Sequence, residues 1–295
     1  MKEVVVISGK GGTGKTSITA AFSVLAGEKA IIADCDVDAA DMHLMLDAKP
    51  LMKFDFLSGE EAVIDQRLCT SCGICKAECR FMAIEEEVGQ YIIDPIRCEG
   101  CGLCARLCPE SAITMKDSLS GEYYISETRL NTSLVHARLA IGASNSGKLV
   151  SVVKETAKKY AEEKGTEIVL VDGSPGIGCP VISSLSGASY ILLVTEPSQS
   201  AFSDLKRILS LINKFNLPAA CIINKSDLNV GITADIESYL ASKDIVVLEK
   251  LPYTRKFSDA ISEGRTIVET DNGHLSQGIR RAWKNMLKLI NLEEL

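Results

Sequence analysis

The sequence has no long apolar run: none approaches the roughly 18 consecutive residues that a membrane-crossing helix needs. It has no excess of basic charge either. Lys and Arg number 32 against 39 Asp and Glu, a formal charge of −7. That balance excludes a general nucleic-acid coat and a polybasic membrane binder, although not a local basic patch. There is no low-complexity tract, and the one internal repeat is a doubled cysteine pattern. The segment Met1–Ser8 offers only Val4–Ile7 as a hydrophobic stretch, too short for a secretion signal, so a cytoplasmic protein is expected.

What is present suffices for a real core. The 295 residues are 46% hydrophobic and 24% charged, which suits one large or two modest globular domains. Eleven cysteines stand out, eight of them between Cys69 and Cys108. A disulfide framework belongs to small secreted domains, whereas clustered thiols in a chain with no export signal point to metal.

Candidate strands alternate with candidate helices along most of the chain. The β-branched run Glu3–Ser8 enters a glycine-rich loop, a helix follows from about Lys15 to Ala26, and Ala30–Ala33 reads as a second buried strand ending at Asp34-Cys35-Asp36. From about Val63 to Asp117 the pattern gives way to short segments, glycines and cysteines. Alternation resumes near Leu130, with strands at Ile168–Asp172, Tyr190–Thr195, Ala219–Asn224 and Ile245–Lys250. Helices are expected between them at Gly147–Lys164, Ser198–Phe215 and Thr233–Ser242. Continuously apolar strands separated by helices imply a parallel sheet covered on both faces. The expected architecture is one α/β domain, residues 1–62 and 118–295, interrupted by a small α+β insert at 63–117.

Gly9-Lys10-Gly11-Gly12-Thr13-Gly14-Lys15-Thr16-Ser17 fits a P-loop between a strand and a helix. Glycines let backbone N–H groups fold around phosphate oxygens, Lys15 reaches the β- and γ-phosphates, and the Thr16 hydroxyl ligates Mg2+. Lys10, just after the first glycine, marks the deviant form of this loop, and here the chain resembles the MinD/ParA family of dimerising P-loop ATPases. Nitrogenase iron protein and the Mrp-type iron–sulfur carriers share that superfamily. The resemblance covers about 1–60 and 120–290. It implies a homodimer closed by ATP, with Lys15 acting in cis and Lys10 reaching the partner's nucleotide. It also implies that Asp172 lies behind Mg2+, that Asp36 orients the attacking water, and that Gly176 turns its N–H towards the γ-phosphate. Asn224-Lys225-Ser226-Asp227 looks like the guanine-reading motif of GTPases, while in the MinD-like family the matching Asn224 contacts adenine. ATP is favoured over GTP, and Pro252, in Leu251-Pro252-Tyr253, falls in the family's adenine-side loop.

Cys69-x2-Cys72-x2-Cys75-x3-Cys79 and Cys98-x2-Cys101-x2-Cys104-x3-Cys108-Pro109 each have the spacing of bacterial two-cluster ferredoxins. The insert resembles such a ferredoxin over its whole length, with Arg80 where the first run would carry proline. The resemblance implies two 4Fe–4S clusters with crossed ligands: Cys69, Cys72, Cys75 and Cys108 for one, Cys98, Cys101, Cys104 and Cys79 for the other. Zinc is the alternative for paired Cys-x2-Cys units. Cys35 and Cys221 read as core thiols. Cys179, in the loop after Asp172, matches a bridging-cluster ligand of nitrogenase iron protein; a packed or redox-reactive thiol is the other reading. His43 and His136 read as structural.

Leu275, Ile279, Ala282, Met286 and Ile290 share one helical face, read as the final packing helix rather than a membrane anchor, so no membrane contact is expected. Three functions remain open. They are ATP-gated electron transfer to an unknown acceptor protein, iron–sulfur or metallocofactor assembly for a client protein, and a redox-sensing spatial or regulatory switch. No nucleic-acid partner is expected.

Overall fold

A computed structural model describes residues 1–292; the last three positions of the expected 118–295 segment lie outside the described residues. In chain order, β1 (Lys2–Ile7) leads to α1 (Lys15–Ala26), β2 (Ala30–Asp34) and a short α2 (Met42–Met45). Two long strands, β3 (Lys49–Ile64) and β6 (Ile113–Glu127), enclose α3 (Ile74–Glu78), β4 (Ile84–Glu87), β5 (Gln90–Ile93) and α4 (Leu103–Leu107). Then come β7 (Ser133–Leu139), α5 (Ser146–Lys164), β8 (Ile168–Asp172), α6 (Cys179–Leu185), β9 (Tyr190–Thr195) and α7 (Gln199–Lys214). The chain closes with β10 (Ala219–Ile223), α8 (Val230–Ala241), β11 (Val246–Lys250), α9 (Lys256–Ser262), α10 (Ile267–Thr270) and α11 (His274–Leu289).

The main sheet runs β11-β10-β9-β1-β8-β2-β7-β6-β3. Strands β11 to β7 of that order pair in parallel. An α/β fold with a large, mostly parallel sheet is what the alternating pattern predicts, because strands buried on both faces must be apolar throughout. Val4–Ile7 and Ile168–Val171 are buried without exception. The chain divides into two compact units: Met1–Lys53 with Tyr123–Arg138 and Ser146–Leu295, and Phe54–Glu122 with Leu139–Asn145.

In the first unit α11 supplies Leu275, Ile279, Ala282, Trp283, Met286 and Leu287 to the same core as Val4, Phe22 and Leu170. Its apolar face is therefore occupied by packing. The expected helix limits shift by a few residues: α8 begins at Val230, where Asn229 caps it by accepting from the Ile232 N–H.

In the second unit the cysteine runs build a structural repeat. Gly73 (φ +80°) and Gly102 (φ +69°) each precede a five-residue helix, and Cys79 and Cys108 follow those helices. Only glycine takes that left-handed turn without strain. β4 and β5 form a separate antiparallel pair. The expected junctions at 62/63 and 117/118 fall inside β3 and β6, strands whose mixed polar and apolar residues do not announce themselves by alternation.

Phe22 is fully buried with its ring centroid 5.0 Å from that of Trp283. Phe22→Ala leaves a cavity between α1 and α11 and should cost about 3–5 kcal/mol, read as a lower midpoint in urea unfolding.

Candidate nucleotide site and cysteine cavities

The carboxyl ends of the parallel strands carry the expected site residues, where ligands bind in open α/β sheets. The loop after β1 reaches α1 through Gly12 (φ +78°) and Gly14 (φ +95°). A Cβ on Gly14 would lie 2.4 Å from Asn224 Nδ2, so the close approach also demands glycine. Thr13 Oγ1 is buried with no hydrogen-bond partner, an unspent polar atom inside the loop. Gly14 gives α1 no side-chain cap, which leaves its first-turn N–H groups available to an anion.

Asp172, fully buried at the end of β8, accepts from the Thr16 and Thr19 hydroxyls, both at 2.8 Å. Lys15 Nζ lies 2.9 Å from Asp172 and 3.9 Å from Asp36, and it donates to Thr16 Oγ1 at 3.3 Å. Burial works against the Lys15 charge, but Asp172, with help from Asp36 and Asp34, holds its pKa above the ordinary value. Burial raises Asp36, with Lys15 opposing. Asp34, on β2 in register with Asp172, is pushed up to about 8 by burial and then by Asp172. It accepts from the backbone N–H groups of Asp36 (3.1 Å) and Met42 (3.3 Å), so it shapes the loop that carries Asp36.

Lys10 does not point away from its own chain. Its ammonium pairs with Glu196 at 2.7 Å and donates to Ser198 and Ser200. Glu196 also holds Lys225 at 2.7 Å, and Lys225 donates to the Gly12 carbonyl. Sequence reasoning missed Glu196, whose one signal is its place just after strand β9. Asn224 donates to the Thr13 carbonyl at 2.8 Å and accepts from the Lys225 N–H, so its amide buttresses the phosphate loop. Asp227 accepts from the Tyr253 N–H at 2.6 Å, which ties this motif to the Leu251-Pro252-Tyr253 loop. The Gly176 N–H donates to the Ser8 carbonyl at 3.0 Å instead of facing open space. Ser17 sits in the first turn of α1.

Two cavities in the second unit are lined by the cysteine runs. One is lined by Cys69, Cys72, Cys75 and, from the other run, Cys108. The second is lined by Cys98, Cys101, Cys104 and, again crossing over, Cys79. All eight thiols are free, and burial raises Cys75 and Cys104. Among the described residues no three His, Cys, Asp or Glu side chains converge to hold a single metal ion. Cys35 and Cys221 are buried with their thiols pushed up by desolvation, as core thiols are. Cys179 is exposed at the start of α6, beside Gly147. His43 and His136 stack at 5.2 Å, and His136 bonds Ser126; burial and then His43 lower His136 to about 4.

Residues 4–267 match the model of the CobQ/CobB/MinD/ParA nucleotide-binding domain. The chain belongs to this family. ATP and Mg2+ fit it as ligands, and the family's domain is an ATPase. An uncharacterized protein of Methanocaldococcus jannaschii is 37% identical over 77% of this chain and 79% of its own length. A second uncharacterized protein of that archaeon is 28% identical over 91% of this chain and 92% of its own. An uncharacterized ATP-binding protein from it is 24% identical over 86% of this chain and 76% of its own. Among solved structures, MinD of Pyrococcus horikoshii complexed with Mg-ADP superposes with a TM-score of 0.59 at 18% identity, covering 99% of this chain and 98% of that one. The MinC:MinD complex of Aquifex aeolicus gives 0.58 at 17% over 98% and 96%. At such identities these structures show the fold alone. No helix among the described residues is long and apolar enough to cross a membrane.

The raised Asp34 pKa fixes a pH dependence. Its protonated form is favoured by folding, so stability from this group is full below about 4 and is lost as pH rises towards about 8. Asp34→Asn should therefore gain on the wild type across that window, with a constant difference above it, measured by urea unfolding of the nucleotide-free protein at a series of pH values.

Proposed function

We propose that the chain is an ATP-dependent dimerising ATPase that carries two 4Fe–4S clusters and passes electrons to an acceptor protein under nucleotide control. The observation that supports this most is the crossed lining of the two cavities, four cysteines each with one contributed by the other run. Thiolates bordering a hollow suit a cubane better than a lone tetrahedral ion, for which four sulfurs meet at a point. Cys69, Cys72, Cys75 and Cys108 would hold one cluster; Cys79, Cys98, Cys101 and Cys104 the other. Clusters of this type supply one-electron transfer. Arg80 in place of proline borders the second cavity without removing a ligand.

On the nucleotide side, Lys15 and the α1 N-terminus bind phosphate, Thr16 and Asp172 serve Mg2+, and Asp36 stands 3.9 Å from Lys15 to orient water. Lys10 acts in trans on the partner's nucleotide, and to do so it leaves Glu196. Asn224 and Pro252 flank the base, for which adenine is preferred. A second reading, a MinD-like regulatory switch with clusters as sensors, gains from the likeness to MinD over nearly the whole chain. Cys179 adds an exposed thiol, and a bridging role for it has no second cysteine beside Gly147 to share.

Anaerobic purification, iron counting and EPR of the reduced protein with and without Mg-ATP test the proposal. About eight irons per chain with signals that shift on ATP are expected; signals indifferent to ATP move the weight to the switch or to cofactor assembly. The crossing has its own readout. Cys69→Ala with Cys108→Ala should lose one cluster, whereas Cys69→Ala with Cys79→Ala should lose both; equal iron in the two double variants defeats the assignment. Cys179→Ser should leave iron content unchanged.

Glu196→Gln should lower the concentration of non-hydrolysable ATP analogue that half-dimerises the chain by up to about fivefold, since a partly exposed ion pair is worth about 1 kcal/mol. Sedimentation velocity measures it, and Lys10→Ala should abolish the closed dimer.

A further inference from the structure

The formal charge of the chain is not spread evenly. Phe54–Glu122 with Leu139–Asn145 carry 13 Asp and Glu against six Lys and Arg, a balance of −7. The whole chain has 39 and 32, so the nucleotide-binding unit holds 26 of each sign and is neutral. Two of the six cations are spoken for. Arg67 pairs with Asp65, and Arg97 with both Asp94 and Glu85.

A cavity of about 370 Å3 in the cysteine unit gathers part of the surplus. Glu60, Glu61 and Glu99 line it, and no Lys or Arg does. None of the three carboxylates has a salt-bridge partner among the described residues. Three apolar side chains that line it stand open: Ile96, Leu119 and Ile141 are 68%, 52% and 91% exposed. Cys98 and Glu99 line both this cavity and the second cysteine cavity, so one wall is common to the two. The Cys98–Cys101 turn is pressed on β3 so closely that a Cβ on Gly100 would lie 2.1 Å from the Glu60 carbonyl oxygen. That contact fixes Glu60 and Glu99 on neighbouring walls.

We propose that this cavity is the docking site for a basic side chain, Lys or Arg, on the surface of a partner protein. The carboxylates do not converge on one ion. They are spread along a hollow whose exposed Ile96 and Ile141 suit the aliphatic stem of a long cation. A nucleic acid or an acidic membrane would be repelled by the unit's charge. A basic protein would be drawn to it from a distance, with association that weakens as salt rises. The proposal rests on the electron-transfer reading only in identifying the partner as the acceptor, because docking here brings that partner to the Cys98 side of the unit.

The test uses the full-length chain, purified anaerobically, and ferric horse-heart cytochrome c as a basic redox protein probe. Calorimetric titration should show binding that weakens about tenfold or more between low and physiological ionic strength. Glu60→Gln with Glu99→Gln should weaken it about tenfold. Glu86→Gln with Glu87→Gln, which removes the same charge elsewhere on the unit, should cost less than about threefold. Equal effects of the two pairs, no effect of either, or no binding at all overturns the site. So does saturable Mg2+ binding that is lost with Glu60 and Glu99, since it would assign the cavity to an ion. Iron content of the same samples separates the readings. Iron-free chain that binds in the expected pattern upholds docking while removing electron transfer, and iron-loaded chain that fails to bind removes docking alone.

Discussion

Asp172 is a carboxylate with no exposed surface at the end of a strand whose other residues are all apolar. Burying such a charge without partners would cost several kcal/mol, so the surrounding sequence is constrained to supply them. Lys15, Thr16 and Thr19 do so from two turns of α1, which fixes how α1 meets the sheet. The phosphate loop that precedes α1 is then fixed as well, and Asn224 and Lys225 lock its far side through the Thr13 and Gly12 carbonyls. Neighbouring Asp34 sits at the same register and answers the crowding by favouring its protonated form. Mg2+ would relieve that crowding, which is a physical reason for nucleotide and metal to bind together.

The loop, the Asp172 strand and the cysteine runs were legible because each depends on residue types that few substitutes can replace. Glycine at φ +95° and a thiolate at a set spacing leave marks in a sequence. The parallel strands were legible through continuous burial. β3 and β6 were not, since Lys49–Ile64 and Ile113–Glu127 mix exposed apolar with buried polar positions. Their pairing is decided by long-range contacts, which no local pattern records. The same limit applies at the site. Nothing local tells that Glu196 would gather Lys10 and Lys225, that Asn224 would face the phosphate loop, or that the Gly176 N–H would find Ser8.

Glu196 shows how one side chain can bear on two states. Its carboxylate is held below the usual range because both lysines favour its charge, although burial works against it. A lysine tied at 2.7 Å to its own chain is unavailable to a second copy. If Lys10 acts on a partner's nucleotide as proposed, the γ-phosphate would offer it more negative charge than Glu196 does, which would give the exchange a direction. Lys225 also pairs with Glu196, so that carboxylate would keep a cation if Lys10 left it.

Net charge averaged over the chain conceals a division of labour. A unit that binds a polyanionic nucleotide cannot itself be strongly acidic without repelling its ligand, and the nucleotide-binding unit is neutral, with Lys10, Lys15 and Lys225 gathered at the loop. The cysteine unit is free of that requirement and carries the entire excess. If its eight thiols hold clusters, each cluster adds negative charge to a surface that is already acidic. Local carboxylates then make reduction harder and attract cationic partners at once. A cluster that is harder to reduce is a stronger donor once reduced, so both effects favour electron delivery to a cationic acceptor, and neutral surroundings would give neither.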